Sequence, residues 1–248
     1  MNKPLGHKAY GSIPHMPGSK RGPGDHGIEE KQASLITGKR PKNIRAIVQE
    51  KWDGCCMSVA KIDGRIVSLG RAGHLAQSAP YEHMQRFATW VREREYRFDR
   101  LLLEGERVVG EWMLMAHGLV YEVRDPDALF LAFDIMRGHE RETADVVSRR
   151  CEAARVDSVP YVMHWHHPEG GICSPEEAVR GQRRDIAPAD GAEPEGVVYR
   201  VEKLEGDRWR HLFCTKWVRG DFEPGIYLPE DGSVPTWNRC SWLEQRAA

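Results

Sequence analysis

Residues 44–71 read IRAIVQEKWDGCCMSVAKIDGRIVSLGR, from Ile44 to Arg71, and this stretch decides the fold class. Arg45–Lys51, Met57–Ile62 and Arg65–Arg71 are short and rich in β-branched residues, so each is expected to be a strand. Asp63-Gly64 falls between two of them and supplies a two-residue hairpin turn. The result is a meander in which Lys51 stands near a strand end, with Asp53 and Gly54 close behind.

On the N-terminal side, residues 1–43 are rich in Gly, Pro, His and Lys, a composition that favours turns and extended segments. They are expected to be a loop-rich entry to the same domain. On the C-terminal side, Tyr81–Leu103 spaces Met84, Phe87, Ala88, Val91 and Phe98 between charges, the pattern of an amphipathic helix. Arg107–Met115 and Ala128–Met136 read as buried strands, Glu142–Arg155 and Ser174–Arg184 as helices. Ser174 stands as a capping residue before Pro175 at the first helical position. Gly196–Leu204 and Arg208–Val218 are two further strands, and turn formers return after Gly220. Strands in adjacent pairs interrupted by single helices make the class α+β, with mainly antiparallel sheets flanked by helices. The core is expected over 44–225, with a short tail over 226–248.

The chain has 248 residues, with 36 Lys and Arg against 37 Asp and Glu and a net charge of -1. No global basic field is present, so any site for a polyanion must be local. A 40% hydrophobic and 29% charged composition is that of a folded chain. No apolar run approaches the roughly 18 residues of a membrane span, and the N-terminus lacks the apolar stretch of a secretory signal. A cytoplasmic location and no membrane partner are therefore expected. The six cysteines show no C-x-x-C spacing and are expected to be free thiols.

In Glu50-Lys51-Trp52-Asp53-Gly54, a lysine at a strand end can present its amine to a pocket while Gly54 lets the backbone approach a ligand. Alone, the tetrapeptide is weak. Further along stand Arg71 in Gly70-Arg71-Ala72-Gly73, then Gly110-Glu111-Trp112-Met113, Phe133-Asp134-Ile135, Glu195-Gly196-Val197-Val198, and Lys216 in Thr215-Lys216-Trp217-Val218-Arg219. In that order, these motifs resemble those of the covalent nucleotidyltransferases, the superfamily of ATP-dependent DNA and RNA ligases and capping enzymes. Ile13-Pro14-His15-Met16-Pro17-Gly18-Ser19, with His117 and Tyr121 after the third motif, sharpens the likeness towards phage and bacterial RNA ligases. The likeness runs from about residue 8 to 238.

The resemblance implies a ligase adenylylation domain that joins 5′-phosphate to 3′-hydroxyl RNA ends through a lysyl-AMP intermediate. It implies Lys51 as the nucleophile, Lys216 as the cation at the α-phosphate, and Arg71 at a phosphate of AMP or of the substrate end. Glu111 would meet the ribose, Phe133 would stack on adenine, and Glu50 would border the nucleotide. Asp53 and Glu195 would hold Mg²⁺ or Mn²⁺, through its water shell, since magnesium keeps several waters. The Lys51 ammonium must lose its proton to attack, and a neighbouring cation such as Lys216 or a metal is expected to lower its pKa. Cys214 stands where many relatives carry a cation, and Arg219 or Lys203 is the expected substitute. About thirty residues follow Lys216, so no OB-fold or helical C-terminal domain is expected.

Two alternatives share the motifs: sealing of nicked DNA, and a nucleotide- or RNA-end-binding module that does not seal. An end-healing kinase or phosphatase is a possible partner. Two other features have bland readings. His164, His166, His167 and Cys173 could supply zinc ligands but fit no familiar module, and Arg180–Arg184 reads first as a solvated helix face.

Overall fold

The computed structural model describes residues 3–159, 161–165, 175–180, 186–229 and 234–240. The elements run α1 (Glu30–Thr37), β1 (Ile44–Lys51), β2 (Cys55–Ile62), β3 (Arg65–Gly70), α2 (Glu82–Glu93), α3 (Glu95–Leu101), β4 (Glu106–Trp112), β5 (Tyr121–Val123) and β6 (Phe130–Arg137). There follow β7 (Glu140–Arg141), α4 (Ala144–Ala154), β8 (Tyr161–Trp165), α5 (Pro175–Arg180), β9 (Ala187–Pro188), β10 (Gly196–Glu205), β11 (Arg208–Val218) and β12 (Arg239–Cys240).

Two sheets carry the site. The first is four-stranded in the order β11-β10-β1-β8, the second five-stranded in the order β3-β2-β4-β6-β7, and every pairing in both is antiparallel. A third, small sheet orders β12-β5-β9, with its β12–β5 pair parallel. The class is α+β with mainly antiparallel sheet. Each large sheet has its own core. Ala46, Val48, Val197, Tyr199 and Trp217 of the first pack with Ile36 of α1 and with Met16. Met57, Val59, Val108 and Ile135 of the second pack with Phe87, Trp90 and Phe98 of α2 and α3 and with Val147 of α4. The chain crosses from one sheet to the other through Trp52-Asp53-Gly54, immediately after Lys51.

The hairpin between β2 and β3 turns at Asp63 and Gly64, with φ of 50° and 70°. Glu104 clamps it, accepting both backbone N–H groups at 2.7 and 3.0 Å. Two expectations need correction. The N-terminal segment contains helix α1, whose Ala33 and Ile36 are buried and whose start is closed by a capping box between Glu29 and Gln32. The helix expected over Tyr81–Leu103 is two, broken at Arg94, where φ is -119° and ψ 16°. Arg94 is fixed there by Asp127 at 2.8 Å and by the face of Trp90, 4.6 Å away. Among the described residues, no helix is long and apolar enough to cross a membrane.

Candidate active site

Register explains why Lys51 and Glu195 meet. Lys51 ends β1 opposite Gly196, the first residue of β10, so Glu195 lies one residue away, just before that strand begins. Lys51 Nζ donates to Glu195 Oε2 at 2.7 Å. Gly196 is dictated by this corner, because a Cβ there would stand 1.9 Å from the carbonyl oxygen of Trp217. On the other side β11 lays Lys216 opposite Val198. Glu111 of β4 comes from the second sheet, paired with Cys56, and its Oε1 accepts the Gly54 N–H at 3.3 Å.

These residues surround a cavity of about 390 Å³ between the two sheets. Glu50, Lys51, Arg71, Glu111, Phe133 and Lys216 all line it, so six of the eight residues singled out from sequence share one wall system. The other two lie behind it. Glu195 is buried beneath Lys51, and Asp53 Oδ2 accepts the backbone N–H groups of Gly118 and Leu119 at 2.6 and 2.9 Å. In this arrangement Asp53 anchors the loop that carries His117. Arg71 is exposed at the mouth, where its guanidinium donates to Ser12 Oγ at 2.9 Å.

Charge balance in the site follows from burial and proximity. Burial alone would lower the Lys51 ammonium, but Glu195, then Glu111 and Asp53, outweigh it and hold the pKa above the ordinary lysine value. The expected lowering is thus reversed in the free protein: the acidic neighbours outweigh burial. The lowered lysine is Lys216, through its burial and then the charge of Lys51. Burial, with Glu195 and Asp53 working against Lys51, pushes Glu111 to about 8. Glu195 is raised as well, by burial.

Sequence reasoning missed the far end of the cavity. Asp134, fully buried on β6, receives Tyr10 Oη at 2.8 Å, Arg200 at 2.6 Å, and an ion pair from Arg141. Tyr10 and Arg200 line the cavity, and Tyr10 meets Phe133 edge-on with ring centroids 5.3 Å apart. Arg200 lies directly across from Cys214 in the β10–β11 register. The cation beside Cys214 is therefore Arg200. Neither expected substitute reaches the cavity. Arg219 is tied to Pro194 O and Asp221, and Lys203 pairs with Glu205 further along β10. Cys55 and His117 also face the cavity, with Sγ and Nε2 3.0 Å apart.

Of the rival zinc ligands, His166, His167 and Cys173 lie outside the described residues, and His164 is described only as a backbone position on β8 opposite Ile47. Arg180 ends α5, and Arg183 and Arg184 also lie outside the described residues. Cys55, Cys56, Cys151, Cys214 and Cys240 are free thiols.

Comparison with known proteins gives two kinds of likeness. An archaeal ATP-dependent RNA ligase superposes with a TM-score of 0.45 at 14% identity, over 84% of this chain and 48% of that one. A Naegleria gruberi RNA ligase with PPi gives 0.44 at 16% identity, over 84% of this chain and 59% of that one. The chain therefore spans about half the length of these solved proteins. No curated protein matches it. The model of the RNA ligase family matches residues 44–218, which takes in both large sheets and every cavity residue from Gln49 to Lys216. The chain belongs to the RNA ligase family.

Proposed function

We propose that this protein is an ATP-dependent RNA ligase that carries AMP on Lys51 and joins 5′-phosphate to 3′-hydroxyl RNA ends. The reading is carried by one observation: the Lys51 amine, paired with Glu195, stands in a cavity that also holds Lys216, Glu111 and Phe133. Lys51 Nζ attacks the α-phosphorus of ATP, a P–N bond forms, and the bond to the pyrophosphate oxygen breaks. The ammonium must first lose a proton, and Glu195 Oε2 is an acceptor already in contact at 2.7 Å. Lys216 faces the charge that develops on the α-phosphate oxygens. Phe133 offers its face to adenine, with Glu50 at the border, Glu111 receives a ribose hydroxyl, and Arg71 at the mouth meets the 5′-phosphate with its planar fork.

AMP then passes to the 5′-phosphate, and the 3′-hydroxyl displaces it to seal the strand. The donors near Lys51 are carboxylate oxygens, which suit a hard ion such as Mg²⁺ or Mn²⁺. Among the described residues, no three His, Cys, Asp or Glu side chains are grouped to grip an ion directly, so Glu195 and Asp53 would hold it through water. The ion would supply positive charge to the phosphates.

Incubation with α-labelled ATP and Mg²⁺, followed by denaturation, tests the first step. Label is expected on the wild-type chain and absent from Lys51→Ala. Label that survives this substitution, or none on the wild type, overturns the reading. Matched nicks that differ only in their 2′-hydroxyls test the polymer. Equal sealing of an all-DNA nick would replace RNA by DNA.

A further inference from the structure

His15 is an ionisable side chain on an irregular segment, yet it is only 2% exposed. A buried imidazole needs partners. Nδ1 shares a hydrogen bond with Ser19 Oγ at 2.7 Å, and Nε2 lies 3.1 Å from Asp25 Oδ2, a close polar contact outside hydrogen-bond geometry. Ser19 Oγ also accepts the Val218 N–H at 2.9 Å, so the ring is tied to β11. Burial, and then the charge of Lys216, lower the His15 pKa, which keeps the ring neutral. The Nε2 edge of the ring therefore stands against the Asp25 carboxylate, while its Nδ1 edge is held by Ser19.

This segment is docked on Lys216 itself. Lys216 N–H donates to Pro14 O at 2.9 Å, and Met16 N–H donates to Lys216 O at 2.8 Å, so backbone bonds grip both sides of the residue. Asp25 then presents its second oxygen to Lys216 Nζ at 4.0 Å, while Oδ2 accepts the Gly22 N–H at 2.9 Å. At 4.0 Å the pair sits at the outer limit of an ion pair. At that distance the carboxylate acts on the ammonium through its charge rather than through a hydrogen bond.

We propose that His15 and Asp25 are positioning residues for adenylyl transfer: His15 fixes the Asp25 carboxylate, and Asp25 aims the Lys216 ammonium at the phosphate. The N-terminal segment thereby completes a site whose other parts come from the two sheets. The inference rests on the reading that Lys216 serves transfer of AMP to Lys51.

The test measures the rate of label uptake from α-labelled ATP at saturating ATP, in the full chain. Asp25→Asn removes the charge and keeps an acceptor for the loop. His15→Gln keeps a polar group near the Nε2 position, and His15→Leu fills the space without one. We expect Asp25→Asn and His15→Leu to slow labelling about tenfold or more, the size of effect a misplaced group produces. His15→Gln is expected to recover most of the rate, and Asp25→Asn to keep its melting temperature within about 2 °C. The Asp25 side chain is 32% exposed, so its variant keeps the test decisive should the His15 variants fail to fold. Wild-type rates in Asp25→Asn, or equal impairment by Gln and Leu at position 15, would overturn the proposal. A wild-type chain that takes no label would instead overturn the adenylylation reading beneath it, and this role with it.

Discussion

Replacing Glu111 by Gln should stabilise the free protein at neutral and alkaline pH. Glu111 is pushed to about 8 in the fold, against 4.5 for an ordinary glutamate, by burial among Glu195 and Asp53 with Lys51 opposing. Between those two values the folded chain binds a proton that the unfolded chain has released. Stability therefore falls as pH rises across this window and levels off above 8. One pH unit is worth about 1.4 kcal/mol, so the whole window caps the effect at about 5 kcal/mol. Lys51 and Glu195 titrate in the same cluster and share the shift, which brings the readable difference to about 1–3 kcal/mol. Glutamine keeps the shape and an acceptor for the Gly54 N–H but has no proton to lose. Urea unfolding of wild type and variant at pH 5, 7 and 9 measures it, and the variant should gain on the wild type from 5 to 9. A difference that stays flat with pH would refute the argument, because Glu111 would then be an ordinary carboxylate.

Other outcomes follow from the same geometry. Asp134→Asn leaves Arg141 and Arg200 without their shared carboxylate, and should cost about 3–5 kcal/mol, read as a lowered denaturant midpoint. Gly196→Ala places a methyl 1.9 Å from the Trp217 carbonyl oxygen, so β10 and β11 must part beside Lys51. Label uptake from ATP should fall by at least about tenfold, even where the variant folds. Cys214→Lys adds a third cation beside Arg200 and Arg141 around one carboxylate, and should lower the melting temperature by about 4 °C or more without improving the KM for ATP.

The meander was legible because its signals are local. β1, β2 and β3 begin and end within two residues of the expected bounds, since β-branched runs and Asp63-Gly64 act over a few positions. The six cavity residues were legible only as ordered motifs, and the fold supplies the reason for their order: each ends or lines a strand facing the gap between sheets. Helix α1 was hidden because eight residues with two buried positions cannot offset the Gly and Pro around them. The break at Arg94 carries no Pro or Gly, and its cause, Asp127, lies 33 residues away. Strands of two or three residues such as β7, β9 and β12 are too short to show a period. The Tyr10–Asp134–Arg141–Arg200 cluster joins residues up to 190 positions apart, and nothing in local pattern relates them.

The crossing at Trp52-Asp53-Gly54 leaves each large sheet on its own apolar core. Such cores are natural cooperative units, able to open separately in hydrogen exchange. The cavity between them draws Lys51 and Lys216 from one and Glu111 and Phe133 from the other. A ligand held there acts as a rivet: its binding energy is spent on both units at once, and amide protection should rise together in β1 and β4 rather than in either alone.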